Sequence, residues 1–176
     1  MNYFAHGRAY MHDPYFLAGT AIPDWLSIID RQVRTKPKGA RLLIDDADQR
    51  VAALARGVLQ HHVDDDWFHQ TAAFHELNVA FTGRIRTILA GDDGYRPAFL
   101  GHILVELLLD AVLIEQQPGQ LDAYYQALLA IEPGLVEATV NRIALKPTDR
   151  LAPFCRGLST SGSCTTTPTM ANSYTG

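Results

Sequence analysis

Residues 46–69 read DADQRVAALARGVLQHHVDDDWFH, and their pattern is the clearest structural signal in the chain. The apolar positions recur at intervals of three and four residues, which is the spacing of one face of an α-helix. These positions are Val51, Leu54, Ala55, Val58 and Leu59. Asp46, with Gln49 three residues later, has the pattern of a capping box, which predicts where the helix begins. We therefore predict a long amphipathic helix that ends near His69.

Similar spacing predicts further helices on both sides of this one. A helix over residues 71–89 has one apolar stripe and stops at the glycine-containing segment 91–94. Residues 97–116 are almost wholly apolar, which is typical of a buried central helix. Shorter helices are predicted over residues 2–10, 15–22, 121–131 and 135–145. Because the segments between the longer helices do not alternate with the period of a strand, we expect an all-α fold, a compact bundle of about six or seven helices.

The composition changes after Pro147. The stretch STSGSCTTTPT at residues 159–169 is uncharged, almost free of large apolar residues and rich in hydroxyl groups. A segment of this kind buries too little apolar surface to offset the entropy that ordering costs. We therefore expect one helical domain over residues 1–147 and a low-complexity, flexible tail over residues 148–176.

Charge and composition exclude several classes of function. The 176 residues include 15 Lys+Arg and 19 Asp+Glu, a net charge of -4, and the basic residues are scattered. This distribution argues against nucleic-acid or anionic-membrane binding. The two cysteines lack the spacing of a thiolate zinc site. No secretory signal is evident, and the apolar run 103–109 is interrupted by Glu106, so we expect a soluble cytoplasmic protein.

The histidines are distributed unevenly, since all seven occur by position 102. Residues four apart on a helix lie on one face, so His61 with Asp65, Asp65 with His69, and His102 with Glu106 can each bind one metal ion. A carboxylate within an apolar helix also needs a compensating partner. Imidazole and carboxylate ligands together suit Zn²⁺, Mn²⁺ or Fe²⁺. The pattern therefore indicates a transition-metal site.

Each of these pairs has an alternative interpretation without a metal. His102 and Glu106 can form a buried hydrogen-bonded pair, and His61 and Asp65 can belong to a solvated acidic surface. For His62 and Asp66 an exposed ion pair is the favoured interpretation. His69 and His75 fit a site and a surface equally well, and His12 is expected at the surface.

Four segments, in order, carry a resemblance to a known family. They are MNYFAH at 1–6, LAGTAIPD at 17–24, GVLQHHVDD at 57–65 and HILVE at 102–106. They resemble the M-N-F/Y-x-A-H, L-x-G-N-x-x-x-D, G-x-x-x-H-R-x-I-D and D-x-x-x-D/H patterns of the acyl carrier protein phosphodiesterases. Those are helical bacterial proteins related to the HD-type metal-dependent phosphohydrolases. The chain departs from the family pattern at Thr20, His62, His69, His102 and Glu106.

The resemblance implies an HD-domain-like fold and a metal-dependent phosphodiesterase that removes the phosphopantetheine group from acyl carrier protein. It adds His6 and Asp24 to the metal ligands His61, Asp65, His102 and Glu106, with Mn²⁺ or Zn²⁺ as the cofactor. His69 or His75 would protonate the leaving alkoxide. The basic residues of segment 31–38 would meet the acidic carrier protein, although a solvated loop explains them equally well. These residues are Arg31, Arg34, Lys36 and Lys38.

Two other functions stay open. The histidine-rich set is similar, more weakly, to zinc-dependent phospholipase C and related single-strand nucleases. In those enzymes an N-terminal residue, an aspartate, H-x-x-x-D and H-x-x-x-E bind zinc, so the chain would be a phosphodiesterase with a different substrate. The other alternative is a helical metal-binding domain without catalysis, whose closed coordination would distinguish it from an enzyme.

Overall fold

The computed structural model of the protein describes residues 1–91, Gly94 and residues 96–161. All regular structure in these residues is α-helical, which confirms the predicted fold class. This part of the chain forms nine helices, more than the six or seven expected. They are α1 (Tyr3–Gly7), α2 (Pro14–Ile29), α3 (Pro37–Ala40), α4 (Gln49–His69), α5 (Ala72–Ile88), α6 (Pro97–Gln116), α7 (Gly119–Leu128), α8 (Pro133–Ile143) and α9 (Leu151–Ser161).

Helices α2 and α4 pack closely along two glycines. A β-carbon on Gly19 would collide with the carbonyl of Leu54, and one on Gly57 would collide with the carbonyl of Phe16. Because neither position has a side chain, the two helix backbones approach each other directly. This approach places the C-terminal half of α4, which carries the histidines, beside α2.

Helix α4 begins at a different cap from the predicted one. Asp48 is the N-cap, and its side chain accepts the backbone N–H of Arg50 at 2.9 Å. Asp46 instead accepts the backbone N–H of Asp48 at 3.0 Å and forms an ion pair with Arg142 at 2.6 Å. The predicted capping box of Asp46 and Gln49 is therefore wrong, although the predicted end at His69 is confirmed.

Helix α2 is longer than the predicted helix over residues 15–22. It continues through Pro23 to Ile29, although proline has no N–H to donate within the helix. Trp25 and Leu26, which follow the proline, are buried in the core. Burial of these two side chains favours continuation of the helix beyond the proline. Asp24 therefore lies on α2, between Pro23 and Trp25.

Helix α6 is not the buried central helix that its composition predicts. Of its residues only Gly101, Val105 and Asp110 are buried, and α6 packs mainly against α5 as a helical hairpin. The main core instead draws on α1, α2, α4, α7, α8 and α9. In the described part of the chain α6 is also the one helix long and apolar enough, by length and composition, to cross a membrane. The expectation that no segment spans a membrane rests on the shorter run 103–109, which lies within this helix.

The predicted boundary of the domain at residue 147 is wrong. Helix α9 follows it, and Leu151, Ala152 and Cys155 are buried against the rest of the protein. Thr148 joins the body as well, since its backbone N–H donates to Asn141 Oδ1 at 2.8 Å. The prediction extends the composition of residues 159–169 back to residue 148, although residues 151–158 have the pattern of an amphipathic helix. The remainder of the predicted tail, residues 162–176, lies outside the described residues.

Candidate metal centre

Two groups of side chains in the described part of the chain could each hold a metal ion. We name them the His61 cluster, which comprises His6, His61 and Asp65, and the His69 cluster, which comprises His69, His102 and Glu106. Within each cluster one ligand atom per residue lies within 4.8 Å of the others. Five of these six residues are predicted metal ligands, and the sixth, His69, is a predicted acid.

The His61 cluster joins α1 to α4. Asp65 Oδ1 lies 3.2 Å from His6 Nε2, and Asp65 Oδ2 lies 3.4 Å from His61 Nε2. The two imidazole rings stack with their centroids 4.1 Å apart. Ligand atoms bound at about 2.0–2.2 Å to one tetrahedral zinc are separated by similar distances. The spacing therefore fits a single ion.

Thr20 on α2 orients His61. Its backbone carbonyl lies 2.9 Å from His61 Nδ1, so Nδ1–H donates to that oxygen and Nε2 faces the cluster with its lone pair. A metal-binding histidine usually makes this kind of hydrogen bond through its other nitrogen. The close α2–α4 contact at Gly19 and Gly57 brings this carbonyl into place.

The two histidines of the His61 cluster differ in charge. Burial lowers the pKa of His61 to about 3, so its imidazole is neutral and able to bind a metal at neutral pH. Burial opposes protonation of His6 too, but hydrogen bonds with Asp64 and Asp65 outweigh it and raise the pKa of His6 to about 9. Burial likewise disfavours ionised Asp65, yet its contacts with His6 and the amino group of Met1 lower its pKa. Protonated His6 therefore neutralises carboxylates that a metal would otherwise neutralise.

The His69 cluster joins the end of α4 to α6. His69 Nε2 and His102 Nε2 each lie 3.0 Å from Glu106 Oε1. Their rings also pack around buried Phe74, with centroid distances of 4.7 Å and 5.0 Å from it. The apolar wall restrains both imidazoles, so their nitrogens converge on one carboxylate oxygen.

Met1 lies between the two clusters. Its amino nitrogen is 2.6 Å from Asp65 Oδ1 and 3.2 Å from Glu106 Oε1, so the two carboxylates lie close together. Its carbonyl oxygen is 3.0 Å from His6 Nε2. The two candidate sites are therefore neighbours, as in enzymes that bind a phosphate between two metal ions. Residue spacing did not identify Met1, because its approach depends on how α1 packs.

Asp24 faces the clusters from α2 without joining either group. Its Oδ2 is buried and has no hydrogen-bond partner among the described residues. Burial raises the pKa of Asp24 to about 7, and although His6 opposes the shift, Asp65 and Glu106 add to it. A buried carboxylate oxygen without a donor is costly unless a cation balances it. This atom is the clearest sign that the protein's own groups leave part of the site uncompensated.

The remaining polar residues singled out from the sequence have other partners. His62 Nε2 lies 2.7 Å from the carbonyl of Thr35, so the favoured ion pair with Asp66 is not what holds its ring. His12 is exposed, as expected, and His75 is exposed on α5 with a ring contact to Phe74. Asp110, on the same face of α6 as Glu106, accepts the N–H groups of Phe4 and Ala5 and holds the start of α1.

The four basic residues of segment 31–38 are exposed. The hydrogen bond from His62 to Thr35 attaches this segment to α4, next to His61.

A separate cavity of about 140 Å³ has an aromatic lining that includes Tyr3, Trp25 and Tyr124, and none of the six cluster residues lines it. The cavity lies between α1, α2, α7 and α9 and is separate from both clusters.

The donor sets in the two clusters fit a transition metal. Each offers two imidazole nitrogens and one carboxylate, a combination suited to zinc, manganese or iron, and neither contains a thiolate. Comparison with known families, characterised proteins and solved structures finds none to which the chain is detectably similar.

Proposed function

We propose that the protein is a metal-dependent phosphoric ester hydrolase with one divalent ion in each cluster. The observation that supports this best is the pair of adjacent clusters of two histidines and one carboxylate. The buried oxygen of Asp24, which has no donor among the described residues, supports it further. Zn²⁺ and Mn²⁺ are the expected ions, and Fe²⁺ also suits the ligands.

Bound ions would supply a Lewis acid for a phosphate oxygen and a water of lowered pKa. The protein's own groups prepare the site for them. Thr20 fixes the tautomer of His61, Phe74 restrains His69 and His102, and Asp24 adds negative charge. The contact of His69 with Glu106 favours a role for His69 as a metal ligand over its predicted role as the acid. His75 remains the predicted acid.

A phosphodiester attached to an acidic protein is the substrate that we propose. The exposed basic segment 31–38 adjoins α4 through His62 and Thr35, so an acidic surface docked there would lie near the clusters. The phosphopantetheine–serine diester of acyl carrier protein has this chemistry, and this substrate would place the enzyme in the cytoplasm. A phospholipase-like or nuclease-like substrate is the alternative that the assay below distinguishes.

Metal analysis and hydrolysis together test the proposal. The purified protein, stripped with a chelator and reloaded, should bind about two Zn²⁺ or Mn²⁺ per chain and hydrolyse bis-p-nitrophenyl phosphate only when loaded. His61→Ala and His102→Ala should each lose about one ion and at least about 100-fold in kcat. His12→Ala, an exposed histidine outside the clusters, is the matched control and should change neither.

The outcomes separate the alternatives. A protein that binds no metal would overturn both the site and the function. Metal binding without hydrolysis of any phosphomonoester or phosphodiester would leave a non-catalytic metal-binding domain. Hydrolysis of a lipid or single-stranded nucleic acid, with holo-acyl carrier protein untouched, would favour the alternative substrates.

A further inference from the structure

One side of the α5–α6 hairpin presents an apolar surface without a partner in the described chain. We name it the leucine face. On α6 it comprises Leu100, Leu104, Leu107, Leu108 and Ala111, and on α5 it comprises Ala73, Leu77 and Ile88. Leu77, Ile88, Leu107 and Leu108 are 46%, 79%, 50% and 42% exposed. Side chains of this size are normally covered in a folded protein when they lie side by side.

The spacing along α6 is that of a helix-packing seam. Leu100, Leu104, Leu107 and Ala111 follow one another at intervals of four, three and four residues, which is the repeat of a coiled coil. Gly101 of α6 lies against Thr82 and Asn78 of α5, and this contact fixes how each helix is rotated. With that rotation and antiparallel helices, the exposed stripe of α5 lies on the same side as the seam. The hairpin therefore presents two neighbouring apolar helices in one plane.

The candidate metal centre lies on the other side of α6. Leu104 is two residues from His102 and two from Glu106, so each of these points roughly 160° away from it around the helix. Covering the leucine face would therefore leave both clusters open. This inference does not rest on the proposed function.

We propose that the leucine face pairs with the same face of a second copy of this chain, forming an antiparallel four-helix bundle across a two-fold axis. Two helices about 10 Å wide and up to about 30 Å long present roughly 600 Å² per copy. The total of about 1,200 Å² is at the lower end of what a stable, specific interface buries. The area is thus sufficient for a dimer.

Charge favours a second copy in this orientation. Arg84 lies on the face near the tip of the hairpin, and Glu115 extends the α6 stripe near its base, and both side chains are exposed. In a two-fold antiparallel pair the tip of each hairpin lies against the base of the other. Arg84 of one copy then lies at the same end of the bundle as Glu115 of the other, twice, whereas a parallel pair would place like charges at the same end.

A lipid surface fits the same face less well. Asp110 of α6 is buried against the start of α1, and Glu106 contacts the two histidines of its cluster, so one side of α6 is bound to the protein body. The exposed side also carries both Arg84 and Glu115. A mixed pair of charges at opposite ends is typical of a pairing surface and not of membrane insertion.

Sedimentation of the full chain tests the proposal. At about 20 μM the protein should sediment as a dimer of the 19.4 kDa chain. The double variant Leu104→Glu, Leu107→Glu should be a monomer with an unchanged helical circular dichroism spectrum. Val79→Glu, at a position that is 74% exposed on the opposite side of α5, is the matched control and should remain a dimer.

A charge exchange keeps the test decisive if the double variant does not fold. Arg84→Glu should weaken the dimer by about tenfold, and adding Glu115→Arg should restore it, because the pair is then reversed. A wild-type chain that is monomeric at 100 μM would overturn the proposal, as would a monomer that binds phosphatidylcholine–phosphatidylglycerol vesicles through these leucines. If adding Glu115→Arg does not restore the dimer that Arg84→Glu weakens, the antiparallel arrangement is overturned.

Discussion

At the scale of single residues, the candidate site brings together carboxylates that would repel one another without a nearby positive charge. Asp24, Asp65 and Glu106 approach from three helices, and in the structure the positive charges near them are protonated His6 and the amino group of Met1. A metal would replace part of this positive charge. Two predictions follow from how Asp24 and His6 respond to that exchange.

Replacement of Asp24 by asparagine should stabilise the metal-free protein and weaken metal binding. Since burial raises the pKa of Asp24 to about 7, its ionised form lowers the free energy of unfolding progressively as the pH rises from about 4 to 7. Asp24→Asn should recover about 1–3 kcal/mol at pH 8 in urea titrations and reduce zinc affinity by about 10-fold or more. The exposed Asp66→Asn on α4 should do neither. Equal behaviour of the two variants would show that Asp24 is not part of the site.

Metal binding at the His61 cluster should displace the proton of His6. The pKa of His6 is raised to about 9, so the stability that its protonated form contributes is full below about 6.5 and is lost as the pH rises through 9. Below pH 9 a metal competes with this proton, and zinc affinity should increase with pH up to that value. Calorimetry at pH 7 in buffers of different ionisation enthalpy should detect the release of about one proton from His6. The His6→Ala variant should release correspondingly less.

At the scale of elements, the contact between α2 and α4 determines the geometry of the His61 cluster. The sequence predicted both helices, but nothing in their periodicity revealed that Gly19 and Gly57 would face each other. Their contact brings the carbonyl of Thr20 to His61. The resemblance to a family pattern had included both glycines only as letters in a motif, whereas the structure gives them a steric role.

Replacement of Gly57 by alanine should therefore destabilise the protein and disturb the site. A methyl group there would collide with the carbonyl of Phe16, and α2 would have to move from α4. We expect a loss of about 1–3 kcal/mol in urea unfolding, with weaker zinc binding. Gly83→Ala on α5 is the control, since a β-carbon there meets no atom within 4 Å, and it should stabilise the helix by about 0.5–1 kcal/mol. A Gly57→Ala variant that is as stable as the wild type would contradict the close packing.

In the α5–α6 hairpin the predicted helix α6 is confirmed, but its predicted burial is wrong. The bounds of α6 follow directly from Pro97 and from the apolar run, and they are confirmed at both ends. Its predicted burial is wrong, because an apolar composition indicates that burial of the helix would be favourable but does not identify the surface that buries it. The proposed second copy would provide that cover.

At the scale of the whole molecule, metal binding should stabilise the attachment of the hairpin to the body. The His69 cluster links α4 to α6, and the His61 cluster links α1 to α4. A ligand at 100 times its dissociation constant adds about 2.7 kcal/mol per site to the free energy of unfolding. Saturating zinc should therefore raise the melting temperature by several degrees and slow amide exchange in α5 and α6. The His61→Ala, His102→Ala double variant should show neither effect, and an identical response in that variant would place the zinc elsewhere.

The sequence by itself determined most of the helices of this protein and which side chains share one face of a helix. The periods of three and four residues predict helices, and His61 with Asp65 and His102 with Glu106 were paired correctly, because spacing within one helix is a local property. Tertiary structure decided what local spacing cannot: that His6 stacks on His61, that Asp24 and Met1 both lie near Asp65, that His75 belongs to neither cluster and that α9 completes the core. These contacts join residues far apart in the chain, and their formation depends on how whole helices pack.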